Sequence, residues 1–252
     1  MNAFFWKQYE DLPAGIGYGR FSPAHFCALA VIAAAALLLT LWFRRQSEGT
    51  KKRVLAVIPP LMLLMEAGKD LFLWRGGHFG VGYLPLHLCG LGVFVFLLTL
   101  IRSGAVRDFF GEVAVTLILP GSVAALIFPD WAHLYPMWNF MNLHGYAWHG
   151  LLVLYPLLLL SAGRARPELR HIWYDPLFLL CVVPPVYLFD RAFHCNYMFV
   201  NWPPPGTPLM WIADRAGEDG YLLGYAAFAL AVIGGIYLII YAVQRVRRGR
   251  GG

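Results

Sequence analysis

Residues 84–101 read Leu-Pro-Leu-His-Leu-Cys-Gly-Leu-Gly-Val-Phe-Val-Phe-Leu-Leu-Thr-Leu-Ile, an apolar run that opens with a proline, a histidine and a cysteine. The chain is 59% hydrophobic and 13% charged, whereas a soluble globular domain carries about 25% charged residues. Runs of about 20 apolar residues match the hydrocarbon thickness of a bilayer. The sequence therefore indicates a membrane protein with several spans. His87 and Cys89 stand at the mouth of one of them, where an apolar span needs neither.

Seven apolar runs predict seven transmembrane helices, because a helix satisfies its own backbone hydrogen bonds in lipid. The predicted spans are residues 25–43, 54–74, 84–101, 109–128, 143–161, 172–189 and 221–243. Pro85 then falls in the first turn of the third helix, where its missing N–H costs little. We predict an all-α fold, a polytopic seven-transmembrane-helix bundle that forms a single membrane domain over residues 1–252.

Lys and Arg residues gather in every second connection, after the first, third, fifth and seventh spans. Because basic connections stay on the cytoplasmic side, the N-terminus is predicted outside and the C-terminus in the cytoplasm. The short cytoplasmic connections are typical of a protein of the bacterial cytoplasmic membrane. Residues 191–220 contain Pro203-Pro204-Pro205-Gly206 and are predicted to form a cap loop over the outer face.

Polar residues inside the predicted spans collect at the outer level. They are Glu66, Lys69 and Asp70 on the second span, His87 and Cys89 on the third, Asn142, His144 and His149 on the fifth, and Asp190 with Asn196 and Tyr197 at the end of the sixth. The inner halves hold mainly Glu112 and Thr116. This asymmetry predicts a polar pocket that opens outward.

Glu66, Lys69 and Asp70 share one helix face by their spacing, and charges in a membrane are expected to pair there. The more common explanation of such a group is a structural ion-pair cluster. His144 and His149 lie about 140° apart around a helix, so only one is expected to face the pocket. We favour His149, because Gly145 leaves room beside it.

His87 and Cys89 point nearly opposite ways on a helix, and a buried cysteine is commonly a small apolar packing residue. Cys195 on the outer side is close enough in topology to form a disulfide with Cys27 or Cys89 in an oxidising compartment. The net charge of +6 does not require a nucleic-acid partner, because the basic residues flank the apolar runs.

Three kinds of chemistry fit this pocket. A cysteine thiolate at Cys89 with His149 as base can attack a lipid acyl ester, with Asn142 or an acid of the second span orienting the imidazole. Zinc-assisted hydrolysis would draw on His87, His144, His149, His194 and Asp190, but their spacing lacks a typical metal motif. Transport or sensing would use the charges of the second span. We predict no cofactor and no metal.

Three segments carry a resemblance to a known family: Leu84 to Cys89, His149-Gly150-Leu151-Leu152-Val153, and His194-Cys195-Asn196-Tyr197-Met198-Phe199-Val200 with the run from Pro208 to Tyr221. Together they resemble the YwaF-like integral membrane proteins, the family of vertebrate transmembrane protein 164. The resemblance covers spans two to seven, and the fold is more distantly similar to that of membrane threonine hydrolases that cut fatty-acid esters.

The vertebrate member resembled here is an acyltransferase that moves an acyl chain between phospholipids through a cysteine nucleophile. By position, the resemblance implies that Cys89 is the nucleophile and His149 the base, with His144 as a second histidine that the family pattern lacks. We expect a cysteine-dependent phospholipid acyltransferase or acyl-ester hydrolase acting on membrane lipids, with His87 helping to hold the oxyanion. The alternative is a non-enzymatic receptor or transporter with its ligand or proton site at Glu66, Lys69 and Asp70.

Overall fold

The computed structural model describes residues 3–102 and 104–249, with side chains described up to residue 246, and these residues form helices and connections without a strand. The long helices are α1 (Pro23–Arg44), α2 (Glu48–Arg75), α3 (Leu88–Leu98), α4 (Gly104–Ile127), α5 (Phe140–Ser161), α6 (Tyr174–Phe193) and α7 (Pro208–Gly249). Short 3-10 turns lie at Tyr9–Asp11, Val81–Tyr83, Leu169–His171 and Tyr197–Phe199.

Polar residues at the helix ends explain where several helices begin and end. The Ser22 side chain accepts a hydrogen bond from the His25 N–H, and the Ser47 side chain accepts one from Thr50, so both serine side chains satisfy N–H groups that have no helical partner. Helix α6 ends where His194 adopts a left-handed φ of 56°. Helix α7 is divided at Gly217, whose φ of 71° is readily adopted only by glycine.

Helix α4 contains a π-helical turn at Ala114–Ile118, and all five of its residues are buried. The N–H of Leu119 reaches back to the carbonyl of Ala114, so one extra residue is accommodated in this turn. The turn faces α3, because a Cβ on Gly92 would lie 3.1 Å from Ile118 and 2.7 Å from Leu152 of α5. Gly92 therefore allows the close approach of three helices.

Helix α5 forms the centre of the bundle and contacts α1, α2, α3 and α4. The core is built from fully buried side chains of these helices, including Met62, Val93, Phe96, Leu152 and Tyr155. The outward faces are apolar instead of charged, with large exposed residues such as Leu38, Leu64, Leu223, Leu238 and Ile239. An apolar exterior over a packed interior is what a protein surrounded by lipid requires.

Within the described residues, five helices are long and apolar enough to cross a membrane: Pro23–Arg44, Gly104–Ile127, Phe140–Ser161, Leu169–Phe193 and Pro208–Val246. The protein is therefore a multi-pass membrane protein. Helix α2 has sufficient length, but Glu66, Lys69 and Asp70 interrupt its apolar character. Helix α3 has only 11 residues, which is shorter than the about 20 that a single helix needs to cross the hydrocarbon core.

Each predicted span contains a helix, but two boundaries need correction. Helix α3 begins at Leu88 with His87 as its N-cap, so the prediction that Pro85 lies in its first turn was wrong. The Leu86 N–H donates to the Leu84 carbonyl and folds residues 84–86 into a turn. A Cβ on Gly90 would lie 2.7 Å from Pro85 Cα, so the turn packs directly onto the start of the helix.

The predicted cap loop at residues 191–220 is in part helical. Helix α6 continues to Phe193, and α7 already begins at Pro208. The intervening segment, residues 194–207, which we call the cap, is held by hydrogen bonds from distant parts of the chain. Arg20 Nη1 donates to the Pro205 carbonyl at 2.8 Å, and the Tyr197 hydroxyl donates to the Val81 carbonyl at 2.5 Å.

The N-terminal segment, residues 3–22, lies across the same end of the bundle. Asn139 Nδ2 donates to the carbonyls of Phe4 and Lys7, each at 2.8 Å. Gln8 is fully enclosed and bonds to the hydroxyls of Tyr135 and Tyr83. Burial raises the pKa of Tyr83 to about 12, so its hydroxyl stays neutral in this network. This end of the bundle is therefore covered by the cap, which lies within the predicted cap loop, and by the N-terminal segment, which the apolar pattern does not reveal.

Candidate active site

Cys89 lies in the first turn of α3, half-buried and packed against the main hydrophobic core. The backbone N–H groups of Gly90 and of Cys89 itself lie near its sulfur. Glu66 and Lys69 of α2 lie close enough to interact with the thiol electrostatically. The third-span cysteine therefore faces the protein interior next to the charges of α2, and not the lipid.

His149 is buried on α5 and is held in one orientation by two contacts. Its Nδ1 lies 2.8 Å from the carbonyl oxygen of Gly145, one turn earlier. Its ring stacks on Trp131, with centroids 4.8 Å apart and planes inclined by 15°. Because a carbonyl only accepts hydrogen bonds, neutral His149 carries its proton on Nδ1, and the lone pair is on Nε2.

His87 has the opposite tautomer. Its Nδ1 accepts a hydrogen bond from the Met198 N–H at 3.1 Å, so neutral His87 carries its proton on Nε2. Its ring packs on Tyr197 and Phe199 of the cap, at centroid distances of 4.9 and 5.3 Å. His87 and His149 are close enough to interact electrostatically. The imidazole of His87, which carries its proton on Nε2, thus lies near the imidazole of His149, which carries its lone pair on Nε2.

The cap beside His87 holds three non-glycine residues with positive φ: His194 at 56°, Met198 at 53° and Phe199 at 58°. Such conformations cost energy and are maintained only when the surroundings fix them. The Tyr221 hydroxyl donates to the Phe199 carbonyl at 2.7 Å and contributes to this restraint. The geometry around His87 is therefore imposed by the cap.

The charges of α2 form the predicted ion-pair cluster. Lys69 Nζ lies 2.5 Å from Glu66 Oε1 and 3.2 Å from Asp70 Oδ1. It also donates to the Tyr83 carbonyl at 3.3 Å, which connects α2 to the segment preceding α3. Lys69 is 9% exposed, so its charge is compensated mainly by these partners and not by water.

His144 faces α2 and not Trp131, as the angle between the two histidines requires. It lies near Lys69 and stacks on Trp148 at 5.8 Å. Its Nε2 is buried without a hydrogen-bond partner in the described part of the chain. His149 and His144 therefore face different sides of α5.

Asn142 does not take the orienting role proposed for it. Its Oδ1 accepts from the Tyr18 hydroxyl at 2.7 Å, and its Nδ2 donates to the Met137 carbonyl at 2.8 Å. Both functional ends of the amide are thus committed to the N-terminal segment and to the start of α5. The contact that orients His149 is the Gly145 carbonyl. Gly145 leaves room for Trp131 instead, because a Cβ there would lie 2.8 Å from Trp131 Cε2.

Asp190 of α6 lies at the same end of the bundle as the residues described above. It is fully buried, and neither carboxylate oxygen has a hydrogen-bond partner among the residues described, although the Tyr197 N–H approaches it. It lines a cavity of about 390 Å³ together with Arg191, His194, Asn201 and Trp202. This cavity is adjacent to the cap and does not include Cys89.

Asn196 and Tyr197 shape the cap through hydrogen bonds. Asn196 Oδ1 accepts from the backbone N–H groups of Asn201 and Trp202, at 3.1 and 3.2 Å.

Burial and the nearby Asp190 carboxylate raise the pKa of the Cys195 thiol. All four cysteines are free, so the disulfide considered for Cys195 with Cys27 or Cys89 does not form.

The sequence model of the TMEM164 family matches residues 20–241. The chain belongs to the TMEM164 family. The match covers helices α1 to α6, α7 as far as residue 241, and Cys89, His87 and His149, and it agrees with the resemblance carried by the third-span, fifth-span and cap motifs. No curated protein and no solved structure matches this chain.

The pattern of polar residues missed a second buried cluster in this TMEM164-family protein. Glu112 Oε1 lies 2.6 Å from His171 Nδ1, and Thr116 Oγ1 lies 2.9 Å from Asp175 Oδ1. The Tyr237 hydroxyl donates to the His171 carbonyl. The end of the bundle that carries the basic connections is therefore less apolar than predicted. The sequence feature that could have indicated this cluster is Asp175, an acidic residue next to Pro176 at the start of the sixth apolar run.

The metal alternative receives no support from the geometry. Among the described residues, no group of three or more His, Cys, Asp and Glu side chains is placed to hold a metal ion. His87 and His149 lie near each other, but their Nδ1 atoms are occupied by backbone groups.

Proposed function

We propose that this TMEM164-family protein transfers or hydrolyses acyl esters of membrane lipids, with Cys89 as nucleophile and His149 as general base. The observation that carries the proposal is the hydrogen bond between His149 Nδ1 and the Gly145 carbonyl. It leaves the Nε2 lone pair of a buried, rigidly stacked imidazole available, which is the state that a general base requires. Cys89 lies two residues after His87, which interacts electrostatically with His149, and a cysteine is a residue type that such a base activates.

The reaction begins when His149 Nε2 accepts the thiol proton and Cys89 Sγ attacks the acyl carbonyl carbon. The C–O bond of the lipid ester breaks, and His149 returns the proton to the leaving alkoxide, so that an acyl thioester remains on Cys89. A second lipid alcohol or water then loses its proton to His149 and attacks the thioester, which frees the thiol. The acceptor decides whether the product is a new lipid ester or a fatty acid.

Two features support charge stabilisation during these steps. The free N–H groups in the first turn of α3 favour negative charge at and near the Cys89 sulfur. His87 carries its proton on Nε2 and can donate it as a hydrogen bond to the carbonyl oxygen as that oxygen becomes negative. The Glu66 and Lys69 pair next to the thiol keeps both charges compensated, and Lys69 also donates to the Tyr83 carbonyl in the segment before α3.

The proposal includes an orientation. Helices α1 to α7 each cross the bilayer, with α3 completed by the turn before it, the N-terminus outside and the C-terminus in the cytoplasm. The site then opens toward the outer leaflet of a cell membrane, which for this compact chain we take to be a bacterial cytoplasmic membrane. The alternation of basic connections supports this arrangement.

The test is turnover of a labelled phospholipid by purified protein in vesicles, with wild type beside Cys89→Ala. Wild type should form an acyl-protein that hydroxylamine cleaves, and it should release or transfer the acyl chain. Cys89→Ala should do neither, and His149→Ala should be slower by about 10²- to 10⁴-fold. Cys181→Ala is the matched control, because this cysteine is exposed on α6. Full turnover by Cys89→Ala would refute the proposed nucleophile.

A second candidate function is a receptor or transporter with its ligand or proton site at Glu66, Lys69 and Asp70. The observation in its favour is a buried ammonium between two carboxylates, a group that a proton or a cationic ligand can reorganise. This candidate predicts no lipid turnover in wild type. It also predicts unchanged ligand binding in Cys89→Ala and loss of binding in Lys69→Met.

A further inference from the structure

A second cavity lies at the opposite end of the bundle, the end rich in Lys and Arg. Its volume is about 330 Å³, and it is lined by four cationic side chains, Lys52, Arg102, Arg107 and Arg164. Lys52 lies near the start of α2, Arg102 and Arg107 flank the start of α4, and Arg164 follows the end of α5. Three separate parts of the chain thus direct positive charge into one space.

Most of this charge is not neutralised by the protein. Arg107 pairs with its neighbour Asp108 at 3.0 Å. Lys52, Arg102 and Arg164 make no ion pair with a carboxylate in the described part of the chain. Glu48 is the other nearby acid, but its side chain is 71% exposed and bonds to Lys51 at 2.9 Å. The cavity therefore keeps a surplus of positive charge that attracts an anion.

Two residues with hydroxyl groups, Tyr155 and Thr99, also line the cavity. Tyr155 is fully buried, and its hydroxyl lies 2.7 Å from Thr99 Oγ1, which in turn donates to the Phe96 carbonyl. Because these hydroxyl protons are committed to each other and to the backbone, the cations supply the recognition of an anion. Arg guanidinium groups can bind phosphate oxygens through two parallel hydrogen bonds.

The remaining wall is apolar. It is formed by Leu55, Ala56, Leu100, Ile101 and Leu159, and Leu100 and Ile101 are also exposed on the outer surface of the bundle. A small soluble anion would gain nothing from this wall, whereas the glycerol and first acyl carbons of a lipid would pack on it. The occupant should therefore be amphiphilic.

We propose that this cavity binds the phosphate headgroup of an anionic phospholipid from the leaflet on the basic side of the membrane. Basic pockets between transmembrane helices on the cytoplasmic side are suited to such headgroups. The lipid phosphate would compensate part of the charge of three cations that make no ion pair among the described residues, and it would connect the ends of α2, α3 and α5. This site is separate from Cys89, and the inference does not depend on the proposed catalytic activity.

The test compares thermal unfolding and lipid binding of the full chain in nanodiscs of phosphatidylcholine, with and without phosphatidylglycerol. The variant Lys52→Gln/Arg102→Gln/Arg164→Gln removes the three unpaired cations. The control Arg44→Gln/Arg45→Gln/Arg245→Gln removes the same charge from exposed positions outside the cavity. Phosphatidylglycerol should raise the unfolding midpoint of wild type and control, and its binding should weaken about fivefold for each cavity cation lost.

Equal binding of phosphatidylglycerol by the cavity variant and the control would overturn the inference, since the attraction would then be that of a diffuse basic surface. An equal rise of the unfolding midpoint with inorganic phosphate alone would assign the cavity to a soluble anion and would also refute a lipid site. If the triple variant does not fold in phosphatidylcholine, Arg164→Gln is compared with Arg45→Gln by the same measurements. A difference between these single variants is again required.

Discussion

At the scale of single residues, the arrangement of His149 depends on what a glycine makes possible one turn away. Gly145 supplies the carbonyl that fixes the His149 tautomer, and its missing side chain leaves space for Trp131. Trp131 then stacks on the imidazole and excludes other rotamers. A residue without chemistry of its own thus determines which nitrogen of the proposed base is free.

We expect Gly145→Ala to destabilise the protein and to disturb the site. The new Cβ would lie 2.8 Å from Trp131 Cε2, so the indole must move off His149, at a cost of about 1–3 kcal/mol. Thermal unfolding of the purified variant measures this cost. Gly68→Ala is the control, because a Cβ there meets nothing within 4 Å, and it should be neutral or slightly stabilising. Equal behaviour of the two variants would contradict the packing argument.

The ion pair of α2 leads to a second expectation. Lys69→Met leaves Glu66 buried beside Asp70 without a cation, which should cost about 3–5 kcal/mol. The double variant Glu66→Gln/Lys69→Met should recover much of that loss, because no unpaired charge remains at Glu66. Unfolding of the two single variants and the double variant completes the cycle. Additive losses would show that the two side chains do not interact.

At the scale of elements, the apolar runs predicted the position of each long helix. A chain segment surrounded by lipid must satisfy its own backbone hydrogen bonds, and a helix does this. The pairing of Glu66 with Lys69 could likewise be predicted, because it is local to one helix. The start of α3 at Leu88 could not, because it depends on how the turn at Pro85 packs on Gly90. The division of residues 191–220 into helix and loop could not be predicted either, because the cap is held by hydrogen bonds from distant parts of the chain.

The site was predictable in its residue types and only partly in its contacts. Cys89 and His87 lie at the start of α3, and His149 of α5 is close enough to His87 to interact with it electrostatically. The partner of Asn142 could not be foreseen, because Tyr18 comes from a segment 124 positions away. The Glu112 and Asp175 cluster also escaped prediction, because its acids lie at the ends of two apolar runs that meet only in the folded bundle.

The cap depends on Arg20 as a connection between distant segments. Arg20→Ala removes hydrogen bonds from a charged donor to the carbonyls of Pro205 and Gly206, which are worth about 1.5 kcal/mol. Amide hydrogen exchange of residues 197–202 should then be about tenfold faster. As a control, Arg75→Ala changes an exposed arginine at the end of α2 and should leave these rates unchanged. Unchanged exchange in Arg20→Ala would show that the cap is held by its other contacts.

At the scale of the whole molecule, the two ends of the bundle differ in character. One end is covered by the N-terminal segment and the cap and holds the thiol and imidazole groups. The other carries the basic connections and the cationic cavity. A protein with this polarity meets the two leaflets with different chemistry, which agrees with separate roles for the two ends.

The proposed orientation can be tested with an impermeant maleimide on intact cells. A variant that keeps only Cys195 should be labelled from outside, at mildly alkaline pH because its thiol has a raised pKa. A variant with Arg45→Cys as its only cysteine should be labelled only after the membrane is opened, since Arg45 lies in the basic connection between α1 and α2. The reverse pattern would invert the orientation and would move the proposed active site to the cytoplasmic side.

The π turn of α4 affects which single-residue deletions the protein tolerates. Deleting one residue from an α-helix rotates everything after it by about 100° and turns packed side chains toward lipid. Deleting one of the five residues of Ala114–Ile118 instead converts a wide turn into an ordinary one, so that both flanks of α4 keep their faces. Such a deletion should yield folded protein where a deletion at Val123 does not, and folded yield after detergent extraction compares them. The wide turn is thus the position in α4 where this chain can lose a residue and keep its fold.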